Sequence, residues 1–287
     1  ARRGSGGMSP QEVGFDIPLG RITALRMGEA KGPKVLALHG WLDNAASFIP
    51  LAGQLPHLDL VMLDLPGHGR SAHLGPGAEY TLSVALNAAL DVADVLGWDR
   101  FALLGHSMGA GIASILAASV PERIERLVAI EALGSLAEST ERTTQRLREG
   151  MAASRALSGK QLRVFKDLAA PIRARMQANQ LSECSARLLV ERGVIERDGG
   201  YVWSSDPRLT LPALQRFTEA QIHQLVTGIE CPTHVVFADP AQSYLPEPLR
   251  SQRAALLPHG HLTVLPGSHH LHMDDPQAVA AAIRGFI

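Results

Sequence analysis

Short runs of apolar residues, each bounded by glycine, proline or polar residues, recur along the chain. Most are continuous rather than alternating, which is typical of strands buried on both faces of a parallel sheet. These runs are KVLALHG (34–40), LVMLDLPG (60–67), FALLGHS (101–107), LVAIEALG (127–134), THVVFADP (233–240) and HLTVLPGSH (261–269). Residues 13–27 instead alternate and break at Pro-Leu-Gly, which predicts a β-hairpin.

Helical spacing of apolar residues separates these predicted strands. Residues 81–96 repeat apolar positions at helical spacing and stop at Gly97, a favourable residue just after a helix. Residues 108–119 are small and apolar, and residues 276–287 begin with a proline suited to a first helical turn. Alternating strands and helices predict an α/β fold with a mostly parallel central sheet flanked by helices.

One long region interrupts this alternation. Residues 135–227 show helical patterns but no convincing buried strand, and they are too many for a loop. We predict a helical insertion that caps the strand ends, with a core made of residues 9–134 and 228–287. The first eight residues, ARRGSGGM, are expected to be a disordered leftover of recombinant expression, with Met8 as the natural start.

Composition narrows the class of protein. The 287 residues are 46% hydrophobic with a net charge of −1, which gives no signal for a nucleic-acid or membrane partner. No apolar run approaches the length of a membrane span. Cys184 and Cys231 match no metal or redox spacing, so we expect a reducing, cytoplasmic setting and no cofactor.

The stretch Gly105-His106-Ser107-Met108-Gly109 has the pattern G-x-S-x-G between a predicted strand and a predicted helix. In this context a tight strand-to-helix turn exposes the serine at the carboxyl edge of the sheet, and the glycines permit close backbone approach. The helix N-terminus favours a developing negative charge. We therefore predict that Ser107 is a nucleophile.

A serine hydroxyl needs a general base. The last predicted strand is followed by His269, His270 and His272, and we favour His269 because it comes first after the strand. A surface loop, or a metal site with His259 and His261, is the alternative. No carboxylate or cysteine spacing supports a metal, so none is predicted.

Two backbone N–H groups are candidates for stabilising an oxyanion. They belong to Met108, which follows the nucleophile, and to Trp41 in the loop sequence HGWLDN. An ordinary glycine turn with a core tryptophan is compatible with the same sequence. We expect the substrate to be a small molecule that contacts Trp41, His106 and Trp203.

Several motifs together resemble the α/β-hydrolase superfamily. They are HGW, DLPGHGRS (64–71), GHSMGA (105–110), PERIERLVAIE (121–131) and PGSHHLHMDDP (266–276). The capped arrangement is similar to haloalkane dehalogenases, epoxide hydrolases and esterases, and GGYVWSSDPRL (199–209) looks closest to the serine hydrolase-like branch. The resemblance implies a triad in the chain order serine, acid, histidine.

The sequence leaves two carboxylates open as the triad acid. Glu131 ends the strand after the nucleophile helix, and Asp239 ends the next-to-last strand. In the family that the chain resembles, the acid more often follows the later strand. Glu131 has the spacing from Ser107 of relatives whose acid follows the earlier strand, and a glutamate in so apolar a position needs a partner. Both remain candidates.

The nucleophile limits the chemistry. The dehalogenases and epoxide hydrolases that the chain resembles use an aspartate nucleophile where this chain has Ser107. A serine paired with a histidine implies acyl transfer instead. We therefore predict a carboxylic-ester hydrolase that acts on small or medium acyl groups through an acyl-enzyme. Thioesterase or lactonase activity is an alternative, and a non-catalytic binding or signalling protein on the same fold is another.

Residues 141–175 are rich in basic side chains. A solvated helix surface is one interpretation, and an anionic thioester substrate is the other. The residues are Arg142, Arg146, Arg148, Arg155, Lys160, Arg163, Lys166, Arg173 and Arg175, against Glu141, Glu149 and Asp167.

Overall fold

The computed structural model describes residues 9–157 and 161–287, so the predicted leftover at 1–8 and Lys160 lie outside the described residues. The strands are β1 (Gln11–Ile17), β2 (Gly20–Gly28), β3 (Lys34–Leu38), β4 (Asp59–Leu63), β5 (Phe101–His106), β6 (Ile124–Ile130), β7 (Val194–Arg197), β8 (Gly200–Trp203), β9 (Thr233–Asp239) and β10 (Gly260–Pro266). Within the described residues, one eight-stranded sheet has the order β1-β2-β4-β3-β5-β6-β9-β10. In this sheet only the β1–β2 and β2–β4 pairs are antiparallel.

Helices connect these strands. They are α1 (Ile49–Gly53), α2 (Leu82–Leu96), α3 (Met108–Ser119), α4 (Thr143–Leu157), α5 (Ala169–Asn179), α6 (Glu183–Gly193), α7 (Glu219–Thr227), α8 (Leu249–Ala255), α9 (Leu271–Asp274) and α10 (Pro276–Ile283). Helix α2 ends where Gly97 adopts a φ of 71°, which glycine accepts without strain. No helix in the described ranges has both the length and the apolar character that crossing a bilayer requires.

The sheet is covered on both faces, as its continuous apolar strands require. One apolar layer packs the sheet against α2, α3, α7 and α8, and its members include Leu103 and Leu116. The other layer packs the opposite face against α1, α9 and α10, and it includes Leu104 and Ile283. The predicted α/β architecture with its mostly parallel sheet is therefore confirmed.

Residues 135–227, the inserted segment, lie between β6 and β9 in the chain. A third apolar cluster holds α5 and α6 together with Met273 of α9. The segment also contains the antiparallel hairpin of β7 and β8, whereas the sequence pattern showed only helices. The hairpin was missed because its strands are four residues each and β7 is mostly exposed. The turn consists of Asp198 and Gly199, which both have a positive φ. An Asp-Gly pair of this kind is a sequence signal for a two-residue β-hairpin turn.

Polar contacts join the inserted segment to loops at the carboxyl edge of the sheet. The indole Nε1 of Trp41 donates to the carbonyl of Leu209 at 2.8 Å, and the Asn44 amide donates to the carbonyl of Leu189 at 2.9 Å. Arg175 of α5 forms an ion pair with Asp43. The segment is therefore attached to the loop that follows β3.

Candidate active site

Ser107 occupies a tight turn between β5 and α3. Its φ of 55° and ψ of −120° lie in a region that non-glycine residues seldom adopt. The turn depends on its flanking glycines: a Cβ at Gly109 would lie 1.9 Å from the Leu38 carbonyl oxygen, and one at Gly105 would lie 2.5 Å from the Ala110 Cα. The local sequence thus forces Ser107 to project from the sheet edge at the start of α3.

The imidazole of His269 lies against the Ser107 hydroxyl. His269 follows β10, and its Nε2 is 2.9 Å from Ser107 Oγ. The side chain is 17% exposed, so it is sheltered but still reaches solvent. Nε2 is thus placed to accept the Ser107 proton, which is the geometry that a general base requires.

The structure brings Glu131, and not Asp239, to the other nitrogen of His269. Glu131 Oε1 is 3.1 Å from His269 Nδ1. The Ala238 N–H donates to Glu131 Oε2 at 2.7 Å, so both carboxylate oxygens are engaged in a buried position. The Asp239 carboxylate is exposed and makes no hydrogen bond with any residue in the described ranges.

Glu131 resembles Ser107 in its backbone. It follows β6 directly, and its φ of 65° is positive. Such a conformation costs a non-glycine residue about 1–2 kcal/mol. Strands β5 and β6 pair in parallel with His106 opposite Ile130, so Ser107 and Glu131 are the next residues of two adjacent strands. The strand pairing sets their separation.

Tyr244 is a site residue that the sequence reasoning missed. It lies between β9 and α8, and its Oη is 3.1 Å from His269 Nδ1 and 3.3 Å from His269 Nε2. Its hydroxyl also donates to the Glu131 carbonyl at 3.4 Å. Burial raises the pKa of Tyr244 to about 12, so the phenol stays protonated. A lone aromatic residue after a strand that ends at the same sheet edge is the signal that was available.

Two backbone N–H groups near Ser107 have no acceptor among the described residues. One belongs to Met108, the first residue of α3, and the other to Trp41. A Cβ at Gly40 would lie 3.3 Å from the Ser107 Cβ, so the loop carrying Trp41 runs beside the nucleophile. These are the two donors that the sequence predicts for an oxyanion. Trp41 as a whole residue is 53% exposed.

Two of the predicted substrate contacts, His106 and Trp203, pack against other protein groups. His106 is fully buried, and its Nε2 is 2.7 Å from the carbonyl oxygen of His269. Strand β5 turns that ring inward, where it supports the backbone of His269, and its contact with substrate stays a prediction. Trp203 packs edge-on against Phe165, with ring centroids 5.7 Å apart, in the inserted segment. This ring contact of Trp203 is therefore with another residue of the inserted segment and not with Ser107.

His270, next to His269, pairs with a different carboxylate. Its Nε2 is 2.8 Å from Asp43 Oδ2, and Arg175 binds Asp43 Oδ1. Burial alone would raise the pKa of Asp43, but His270 and Arg175 hold it well below its usual range. The third histidine, His272, is fully buried, with Nε2 2.7 Å from Ser47 Oγ. The structure thus separates His269 from the other two candidate bases.

The basic residues of the inserted segment divide into paired and unpaired groups. Arg146 and Arg142 bind Glu138 at 2.8 Å and 3.3 Å. Arg175 is partly buried on Asp43. The members that are exposed and make no ion pair with any described residue are Arg148, Arg163, Lys166 and Arg173.

Fold and site together define a class of protein. A turn that presents a serine after the fifth strand, with a histidine after the last strand beside it, is typical of α/β hydrolases. The family model for the alpha/beta hydrolase fold matches residues 33–192. The chain belongs to the α/β-hydrolase fold family.

Individual relatives align along almost the whole chain. The human serine hydrolase-like protein 2 is 31% identical over 96% of this chain and 93% of its own length. A crystal structure of a hypothetical protein from Pseudomonas aeruginosa has a TM-score of 0.91 and 42% identity, covering 96% of this chain and 99% of that one. A thioesterase domain from the curacin biosynthetic pathway has a TM-score of 0.84 and 27% identity, over 96% and 99%.

Proposed function

We propose that the protein is a serine hydrolase that cleaves carboxylic esters of small or medium acyl groups. The observation that carries the proposal is the line of contacts from Ser107 Oγ to His269 Nε2, at 2.9 Å, and from His269 Nδ1 to Glu131 Oε1, at 3.1 Å. A nucleophile, a base and an orienting carboxylate in this order are the components of an acyl-transfer triad. The similarity to the human serine hydrolase-like protein 2 supports the same class.

Acylation would begin at the Ser107 hydroxyl. As Oγ attacks the ester carbonyl carbon, its proton moves to His269 Nε2. The Glu131 carboxylate accepts the hydrogen bond of Nδ1–H and stabilises the imidazolium that forms. His269 then protonates the leaving alcohol oxygen, and the acyl group remains on Ser107.

The negative charge on the tetrahedral oxygen would fall between the free N–H groups of Trp41 and Met108. Each such donor contributes about 3 kcal/mol to the transition state in related hydrolytic sites. Deacylation repeats the steps with water, which His269 deprotonates for attack on the acyl-enzyme. In this proposal Glu131 is the triad acid and Asp239 has no catalytic role.

We also propose that the inserted segment, residues 135–227, acts as a cap over this site. Its contacts support this role, because Leu209 holds the indole of Trp41 and Arg175 holds Asp43 in the same loop. A cap attached to the oxyanion loop restricts which substrates reach Ser107 and shelters the reaction from water.

A fluorophosphonate probe tests the nucleophile directly. The purified chain should be labelled stoichiometrically at Ser107, as read by mass spectrometry of the tryptic peptide. Ser107→Ala should abolish labelling and lower kcat for an ester by at least about 10⁴-fold. Ser114→Ala is the matched control, because Ser114 is buried in α3 and its Oγ donates to the Ala110 carbonyl. A folded protein that resists labelling contradicts the proposal.

Thioester hydrolysis is a second candidate function. Two observations favour it: the similarity to a thioesterase domain, and the four exposed basic residues without ion pairs to described residues, which would attract an anionic carrier. The test compares kcat/KM for an acyl-coenzyme A with that for the matching oxygen ester. Attraction predicts that only the thioester rate falls as ionic strength rises, and equal salt dependence would remove this candidate.

A further inference from the structure

Three buried side chains converge behind the proposed triad. They are Asp43 in the loop after β3, His106 at the end of β5 and His270 after β10. One oxygen or nitrogen atom from each lies within 4.8 Å of the corresponding atoms of the other two. The proposed acyl transfer uses none of these three atoms.

The tautomer of His106 leaves one nitrogen without a partner. Its Nε2 is 2.7 Å from the His269 carbonyl oxygen, and because a carbonyl can only accept, Nε2 carries the proton. Nδ1 therefore has a free lone pair, and it makes no hydrogen bond with any described residue. Burial keeps the pKa of His106 well below its ordinary value, which leaves the ring neutral.

The free lone pair of His106 faces the same space as the Asp43 carboxylate. A Cβ built on Gly40 would lie 3.3 Å from His106 Nδ1 and 3.5 Å from Asp43 Oδ2. Asp43 Oδ2 is in turn 2.8 Å from His270 Nε2. A carboxylate oxygen and two imidazole nitrogens thus surround one position, which is a ligand set suited to zinc and other first-row transition metals.

We propose that Asp43, His106 and His270 bind a divalent transition-metal ion, with Zn²⁺ the best fit, and that its binding inhibits hydrolysis. The ion would bond to His106 Nδ1, His270 Nε2 and Asp43 Oδ2. The proton that now joins His270 to Asp43 is released to solvent. Ligands at tetrahedral angles around zinc are about 3.4 Å apart, so the 2.8 Å pair must open by about 0.6 Å.

Inhibition follows from where the ligands are attached. His106 immediately precedes Ser107, His270 immediately follows His269, and Asp43 is two residues after Trp41. Moving these three side chains into a tetrahedral arrangement around the ion shifts the proposed nucleophile, base and oxyanion donor, and displacements of about 1 Å cost on the order of 10²-fold in rate. This inhibitory effect depends on the proposed function, whereas the metal site itself does not.

The test measures metal binding and activity separately on the full chain. Binding of Zn²⁺ is read by competition with a chromophoric chelator, and Co²⁺ is read by its visible absorption, which is strong for tetrahedral coordination. We expect one ion per chain and a loss of ester hydrolysis that develops with preincubation, because the cluster is buried. Anomalous scattering from crystals soaked in Zn²⁺ should place the ion between the three side chains.

His106→Gln is the discriminating variant. The amide nitrogen of glutamine retains an N–H donor for the His269 carbonyl, while the Nδ1 ligand is lost. We expect Zn²⁺ affinity to fall by at least about 10-fold, because removing even a group that only hydrogen-bonds to a metal ligand has an effect of this size. His261→Gln, on the exposed start of β10, is the control for adventitious surface binding and should change nothing.

Several results would overturn the metal site. One is an unchanged Zn²⁺ affinity in folded His106→Gln. The others are a Co²⁺ spectrum that lacks the strong absorption of tetrahedral coordination, and soaked crystals with only a water molecule between the three side chains. If His106→Gln does not fold, the anomalous map of the unaltered protein decides. Zinc bound at the site with full activity overturns the inhibitory role alone. A metal-free protein with no hydrolytic activity overturns the proposed function and leaves the binding measurements valid.

Discussion

Two adjacent histidines each face a carboxylate, in different surroundings. His269 lies between Glu131 and the Ser107 hydroxyl and keeps 17% of its side chain exposed. The His270 and Asp43 side chains are 3% exposed, and Arg175 engages the second oxygen of Asp43. A histidine bound to a carboxylate through one ring nitrogen can transfer protons when its second ring nitrogen contacts a reactive group that is accessible to substrate. The same pair, buried and closed by an arginine, holds loops in place.

The largest expected difference separates the two acids that the sequence left open. Glu131→Gln removes the negative charge that orients and stabilises His269, and we expect kcat for an ester to fall by about 10⁴-fold. Asp239→Asn alters an exposed carboxylate without a hydrogen-bond partner in the described residues, and it should change kcat by less than about 2-fold. Steady-state kinetics of both variants measure the difference. A larger loss in Asp239→Asn would reverse the assignment.

Low pH should reduce the stability of the protein through its buried histidines. Burial lowers the pKa of the rings of His39, His106 and His272, that of His39 to about 3. In the unfolded chain each ring titrates near about 6.5. Since the folded pKa is the lower one, the unfolded state binds more protons below about pH 6.5. The stabilisation present above that pH is lost as the pH falls towards the folded values.

We therefore expect the free energy of unfolding to decrease between pH 7 and pH 5, by about 2 kcal/mol for His39, with His106 and His272 changing it in the same direction. Urea unfolding at a series of pH values measures this change. A free energy that stays constant over this interval would show that the rings are protonated in the folded protein.

Removing the buried carboxylate should reduce stability more than removing a surface one. Asp43→Asn leaves Arg175 and His270 without their negative partner, and breaking a buried ion pair in this way costs about 3–5 kcal/mol. Asp94→Asn breaks a pair with Arg123 in which the aspartate is 60% exposed, and it should cost less than about 1 kcal/mol. Urea unfolding of both variants tests the contrast, and equal losses would contradict it.

The smallest expected effect concerns Tyr244. Tyr244→Phe removes the hydroxyl beside both nitrogens of His269, and one lost hydrogen bond of about 1 kcal/mol corresponds to a 5- to 10-fold lower kcat. If the hydroxyl positions the imidazole, kcat should fall with little change in KM. Tyr201→Phe, in the β7–β8 hairpin, is the control. A change in KM alone would make Tyr244 a substrate contact instead.

Much of the fold could be predicted because local patterns determine it. Continuous apolar runs predicted the central strands, and Gly97 predicted the end of α2. The spacing of G-x-S-x-G predicted the turn at Ser107. The choice between Glu131 and Asp239 could not be predicted, since β6 and β9 are neighbours in the sheet and both acids end a strand at the same edge. Only the side-chain directions separate them.

Other features depend on contacts between distant parts of the chain. Tyr244 reaches His269 because its loop folds back over the sheet edge, and no motif marks that path. The cluster of Asp43, His106 and His270 combines three separate segments of the chain. Its formation therefore could not be predicted from the sequence. The burial of His106 beside the exposed turn at Ser107 follows from the strand, because a strand turns successive side chains to opposite faces.

The pairing of β5 with β6 has a consequence for how such an enzyme can diversify. Ser107 and Glu131 both lie within a single strand–helix–strand unit, ahead of residues 135–227. Evolution can therefore lengthen, shorten or exchange the later segment without altering the spacing between nucleophile and acid. An acid after β9 would instead be separated from its serine by every such insertion. The proposed nucleophile and acid thus form a compact module that can be inherited unchanged while residues 135–227 are replaced, and only the proposed base, His269, lies beyond that segment.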